Sequence, residues 1–162
     1  ARALLRESAV AHRGGLPGAH AAGAAAESIG IYEVLARACG YILRNYVMLS
    51  DPGDSGSSAA MRNPYIRRGP QSALYDGHLW IRAIKLYADG ALGSRGAALL
   101  APYSDDPANA VLLVSQPGHL RELYETAPHL GFQGNVHDTG ALVNSSLPEP
   151  LQTALKPVTE VH

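Results

Sequence analysis

From residue 16 onward, short apolar runs alternate with stretches of helical period, the pattern of successive βα units that build a parallel sheet. Leu16 to Ala22 reads as a first, poor strand. Ile31, Val34, Leu35 and Ala38 then fall at i, i+3, i+4 and i+7, one face of a helix, and Gly40 stands where a helix C-terminus favours glycine. Tyr41 to Leu49 is rich in β-branched and aromatic residues and predicts a strand; Leu79 to Asp89 predicts a second. Between them, residues 50–77 form a polar loop broken by Pro52, Gly53, Gly56, Pro64, Gly69 and Pro70, longer than an ordinary connection. Ser115 is the expected N-cap of a further helix, with Leu120, Leu123, Tyr124 and Ala127 on its apolar face and Pro128 stopping or kinking it. Phe132 to His137 predicts a short strand, Pro148 to Lys156 a short helix, and Val158 to His162 a last strand.

Composition narrows this α/β outline to one domain over residues 1–162, because 162 residues leave no room for two substantial ones. Alanine supplies 26 of the hydrophobic positions, so the expected core is thin and alanine-padded. A net charge of -1 without a basic stripe argues against a nucleic-acid partner. No apolar run approaches the roughly eighteen residues of a membrane span, and Arg2, Arg6 and Arg13 are scattered through the first turns rather than gathered ahead of an apolar body. A soluble, cytoplasmic chain is expected. The single cysteine, Cys39, excludes an internal disulfide and is expected to be a small buried hydrophobe.

Three places could carry chemistry. Alternation puts Ile81, Ala83, Lys85 and Tyr87 on one face of their strand and Arg82, Ile84, Leu86 and Ala88 on the other, both mostly apolar, as in a parallel strand covered on both sides. Burial disfavours the ammonium, so Lys85 is either paired, with Asp89 the nearest candidate, or held neutral and used as a base or as a carbamate able to bridge metal ions. Gln133, Asn135 and His137 likewise share one strand face, which ends in a histidine where a barrel places its catalytic side chains. His162 ends the next strand in the same way, and strand-end histidines from neighbouring strands suit a metal site.

The remaining signals are weaker. Gly90, Gly93 and Gly96 match no phosphate-binding spacing and are expected to serve a tight turn with positive φ, tied down by Asp89 and Arg95, although a phosphate-binding module is the alternative. Arg62, Arg67 and Arg68 are expected on a solvated face, and His12, His78, His119 and His129 on helical or loop surfaces. No serine or cysteine nucleophile motif is present.

The run IRAIKLYADGALGSRGAALLAPYSDDPAN, followed by GFQGNVHDTG, resembles the amidohydrolase superfamily, and within it the family 3 type that includes N-substituted formamide deformylases and exoenzyme regulatory proteins. Upstream, GLPGAHAAG and YVMLS are similar to two preceding strands of that family. The resemblance implies a partial TIM (β/α)8 barrel, roughly strands two to six, without the first and last strands or the attached β-sandwich. It implies hydrolysis of carbon–nitrogen bonds other than peptide bonds, on a small amide or formamide substrate, with one or two divalent metal ions, zinc above all. Lys85 matches the fourth-strand lysine, often carboxylated, His137 the fifth-strand histidine and His162 the sixth.

Several family positions differ. Ala21 follows His20 where aspartate is usual, Asp138 and Thr139 replace Ala and Ile after His137, and the chain has neither the His-x-His nor the final-strand aspartate. A barrel of this kind takes about 250 residues. The chain is therefore expected to be a piece of one, inert in isolation, or else a non-catalytic remnant that self-associates or pairs with a complementary chain through its open strand edges.

Overall fold

The computed structural model describes residues 1–38, 41–51, 63–109 and 113–140. In chain order the elements are α1 (Arg2–Arg13), β1 (Gly18–Ala24), α2 (Ala26–Arg37), β2 (Arg44–Ser50), α3 (Pro64–Arg68), β3 (Gln71–Ala73), the helical turn α4 (Leu74–Gly77), β4 (Leu79–Tyr87), a 3-10 turn at Leu92–Ser94, α5 (Pro117–His129) and β5 (Gln133–His137). Strands β1, β2, β4 and β5 lie side by side in that order, all parallel. Among the described residues only β3 runs against them, touching β4 at Ile81.

A parallel sheet whose strands never reverse their spatial order is wound in one direction, and right-handed crossovers then put every helix on the same side. That is the architecture of a (β/α)8-barrel sector, whereas a doubly wound sheet reverses order and is covered on both faces. The barrel-sector expectation is thereby met with four parallel strands; the fifth, over Val158 to His162, and the helix before it lie outside the described residues. Cys39 and Arg62 also lie outside them. Among the described residues no helix is long and apolar enough to cross a membrane.

The covered face explains why these strands form. Val47 and Leu49 of β2 and Ile84 and Leu86 of β4 are almost completely buried with Ile29 of α2 and Leu120 and Leu123 of α5. Each such side chain contributes on the order of 1.5–3 kcal/mol by leaving water. In α2 the register differs from the expected one. The helix begins at Ala26, buries Ile29, Leu35 and Ala36, and leaves Val34 65% exposed. The buried stripe runs from Ile29 to Leu35 and Ala36 because that side of the helix meets the sheet, and Val34, one position earlier, turns about 100° away from Leu35 toward solvent.

Three local features depart from the sequence reading. Helix α1, for which no element was expected, lays Leu4, Leu5 and Ala11 against Leu35, Tyr41 and Leu43. Of the expected polar loop, residues 52–62 lie outside the described residues and residues 63–77 carry structure: Asn63 Oδ1 accepts the Tyr65 N–H at 3.0 Å with Pro64 in the first turn, which starts α3 and sends Tyr65 and Ile66 into the core. Arg68 there pairs with Glu33 at 3.6 Å and stacks 4.7 Å over the Tyr65 ring, while Arg67 is exposed. Finally, Ala73, Tyr75 and Asp76 take left-handed φ values of 51°, 53° and 57°. Such conformations cost roughly 1–2 kcal/mol per residue without glycine.

Candidate active site

The face of the sheet away from the helices is polar. Register partners in parallel strands point the same way, and the pairings bring His20 beside Tyr46, Ser50 beside Lys85, Lys85 beside Asn135 and Tyr87 beside His137. A chain of contacts crosses this face above β4. Tyr46 Oη donates to Gln133 Oε1 at 3.3 Å, Gln133 Nε2 to Asn135 Oδ1 at 3.0 Å, and Asn135 Nδ2 lies 3.6 Å from Met48 Sδ. Tyr87 Oη donates to the Ala22 carbonyl at 2.9 Å across β2. That reach needs the bulge at Gly23, where φ is 102° and an added Cβ would stand 2.6 Å from the Tyr87 oxygen.

Lys85 and His137 both belong to this face, on adjacent strands and two residues apart in register, which separates their Cα atoms by roughly 8 Å. Lys85 is half-buried, with its ammonium 4.9 Å from the centre of the Tyr87 ring, and desolvation holds its pKa below the ordinary lysine value. Thr139 Oγ1 is 3.2 Å from His137 Nε2, and the Tyr87 and His137 rings lie 6.0 Å apart. His20 stands apart from them. Its partner Tyr46 is four positions before Ser50 on β2, about 13 Å along the strand.

Asp89 does not pair with Lys85. Buried just beyond β4, it accepts the backbone N–H groups of Ala98 at 2.9 Å, Thr139 at 2.9 Å and Gly140 at 2.7 Å. One carboxylate thus ties the loop after β4 to the loop after β5. Asp138, beside it, has its pKa raised by desolvation first and then by the Asp89 charge, with His137 acting the other way.

The glycine loop is closed on itself. Gly90 N–H donates to Gly96 O at 2.8 Å, Gly96 N–H to Ala91 O at 3.0 Å and Ala97 N–H to Tyr103 Oη at 3.0 Å, so these donors are not presented to a phosphate. Gly90 and Gly96 serve close approach instead of positive φ, since a Cβ on Gly90 would meet Gly96 O at 3.0 Å, while a Cβ on Gly93 would meet nothing within 4 Å; the left-handed residue of the loop is Arg95. Arg95 pairs with Asp105 at 2.9 Å in solvent.

One pair escaped the sequence reading. His119, in the first turn of α5, is not at the surface: its Nε2 sits 2.8 Å from Asp51 Oδ2, with the side chains 9% and 1% exposed. Asp51 directly follows β2, and its N–H donates to the Lys85 carbonyl at 3.2 Å. The pair pins the end of β2 between α5 and β4. The two residues are far apart in sequence, and the only advance signal was an aspartate immediately after a strand.

Among the described residues no three His, Cys, Asp or Glu side chains converge as a metal would require. Lys85 and His137 together offer two donors, and a protein metal site uses at least three. His162, the third expected ligand, lies outside the described residues.

No family model matches the chain. It is similar to a Bacillus subtilis (strain 168) protein named "putative amidohydrolase YtcJ", 42% identical over 60 residues, which are 37% of this chain and 11% of that protein. Its fold resembles two crystal structures of uncharacterized metal-dependent hydrolases. That from Pyrococcus horikoshii OT3 has a TM-score of 0.73 at 22% identity, over 93% of this chain and 29% of that one. That from Pyrococcus furiosus has a TM-score of 0.61 at 26% identity, over 80% and 25%. The chain spans less than a third of each, and the fold it shares with them is that of a metal-dependent-hydrolase barrel sector. In sequence its likeness is to the amidohydrolases.

Proposed function

We propose that this chain is a central sector of a metal-dependent amidohydrolase of the family 3 type, cytoplasmic and acting on carbon–nitrogen bonds of small amides or formamides. The observation that carries this reading is the placement of Lys85 and His137 on one polar sheet face, at the C-terminal ends of neighbouring parallel strands. In a barrel that end is where catalytic groups gather. The similarity to the Bacillus subtilis protein and to the two hydrolase folds supports it.

The described residues do not by themselves complete a metal site, so no catalytic step is routed through one. Lys85, with its pKa lowered by desolvation, is suited to lose its proton and, as the neutral amine, to add to carbon dioxide with release of a second proton to solvent, and the resulting carbamate offers two oxygens sharing one negative charge in place of one amine. His137 offers an imidazole beside it, and His162 is the proposed third ligand. Zinc supplies an activated water to enzymes of this class when bound.

The test is zinc content after dialysis together with hydrolysis of an N-acyl and formamide panel. The expected result for the 162-residue chain is no turnover, and weak zinc binding that Lys85→Ala and His137→Ala each abolish. Zinc binding unchanged by both substitutions would overturn the site, and turnover by the isolated chain would overturn its inertness.

A second reading has its own observation: among the described residues β1 and β5 each pair on one side only, and the polar face is uncovered. Open parallel edges template association. As a non-catalytic partial barrel, the chain would self-associate without zinc. Sedimentation showing a monodisperse monomer would end that reading.

A further inference from the structure

At the opposite end of the sheet, before β2 and β4 begin, a cavity of about 420 Å³ is lined by Arg37, Tyr41, Ile42, Tyr75, Asp76 and His78. We propose that it binds a small aromatic amino acid as its zwitterion, with the ring against the tyrosines and Ile42, the carboxylate on Arg37 and the ammonium on Asp76.

Two independent observations lead there. The first is charge placement. Arg37 and Asp76 line one cavity, yet among the described residues neither forms an ion pair with the other. Arg37 is held in place, its Nη2 donating to Tyr75 Oη at 3.0 Å and its guanidinium carbon 5.5 Å above the Tyr75 ring. Since a guanidinium carries five N–H donors, that single bond leaves an edge for a carboxylate. A guanidinium and a carboxylate that line one cavity with Tyr41, Ile42 and Tyr75 match a ligand that carries both charges at one end and a ring at the other. The volume falls within the range of small-molecule sites.

The second is backbone strain at the same residues. Tyr75 and Asp76, which supply a ring and the carboxylate, are left-handed without being glycine, with Ala73 at the entrance to the turn and Gly77 after them also at positive φ. Glycine at position 76 would relieve this. A strained segment that keeps its functional side chains is the pattern expected of a binding site. The floor is anchored as well, because Tyr41 is buried and His78 Nδ1 lies 3.3 Å from the Leu43 carbonyl.

The experiment is calorimetric titration of the full chain with phenylalanine, 3-phenylpropionate and phenethylamine. Each analogue lacks one charge and is expected to bind about tenfold more weakly than phenylalanine, the loss of one charge-assisted hydrogen bond. In Arg37→Gln phenylalanine should bind no better than phenethylamine does to the unaltered chain. In Asp76→Asn, which keeps a residue tolerant of left-handed backbone, phenylalanine should lose its advantage over 3-phenylpropionate. Asp76→Gly should melt about 2–4 °C higher and lose the same advantage, which separates binding from folding. Equal binding of the three compounds, absence of binding by phenylalanine, or an unchanged preference in the Asp76 variants would overturn the proposal.

Discussion

Leu86 and Lys85 are neighbours in one strand and live in different solvents. Leu86 points to the helices and is fully buried, with Ile84, Val47 and Leu49 around it, whereas Lys85 points to the other face, half-buried among Tyr87, Asn135 and Ser50. One face is a finished core. The other is a polar surface with hydrogen bonds across four strands and, among the described residues, no helix over it. Sheets made of parallel strands normally bury both faces, and a barrel does so by closing on itself. The contrast shows that stability resides on the covered face, and that the open face is shaped for what a closed barrel would place inside.

The sharpest challenge to this contrast is Asp89, the buried carboxylate at the end of β4. Asp89→Ala strands three backbone donors and should cost about 3–5 kcal/mol in urea unfolding, since bonds to a charged group contribute about 1.5–3 kcal/mol each and some relax. Next, Leu86→Ala on the covered face should cost about 2–5 kcal/mol, while Gln133→Ala on the open face should stay within about 1 kcal/mol. Comparable losses would remove the distinction between the faces. His119→Ala should destabilise by about 1–3 kcal/mol by leaving Asp51 buried without it, against no more than about 0.5 kcal/mol for His129→Ala at the surface.

The smallest effects are in the pH dependence. Burial lowers the Lys85 pKa from the ordinary 10.5, so between the folded and unfolded values the unfolded chain binds more protons and stability rises with pH. Lys85→Met should therefore be slightly more stable than the unaltered chain at pH 7, with the advantage fading above pH 10.5. Asp138 has the opposite sense. Its pKa is raised from 3.8, the folded chain holds the proton longer, and stability falls as pH rises through that window. Asp138→Asn should gain at neutral pH and lose that gain below 3.8. Flat differences across pH would show that neither group is desolvated.

Much of this was legible along the chain, and the exceptions are instructive. The strand through Lys85 announced itself by its apolar run, but its alternation breaks between Ile81 and Ala83, where the pairing with β2 shifts by one residue, so Ile81 joins Val47 in the core and only Ala83, Lys85 and Tyr87 keep the expected face. Gln133, Asn135 and His137 announced a polar face by their alternation. In α2 the stripe was displaced because packing decides which side of the helix meets the sheet, so Val34 read as core and Ile29 was passed over. The left-handed turn at Ala73 to Gly77 gave little warning, since two of its positive-φ residues, Ala73 and Tyr75, are types that disfavour that conformation and only Asp76-Gly77 is a turn pair. Arg68 read as one of a solvated cluster; its contacts to Glu33 and Tyr65 depend on how α3 crosses α2.

Local periodicity determined the main strands through Lys85 and His137, the helices between Ala26 and Arg37 and between Pro117 and His129, and their order, because alternation and helical spacing are written within a few residues of each other. Tertiary structure decided what each polar group answers to. Asp89 meets Gly140, Asp51 meets His119 and Arg37 meets Tyr75 only after parallel strands separated by whole helices are laid side by side. A buried charge must find its partner in space, and the chain's own spacing carries no record of that distance.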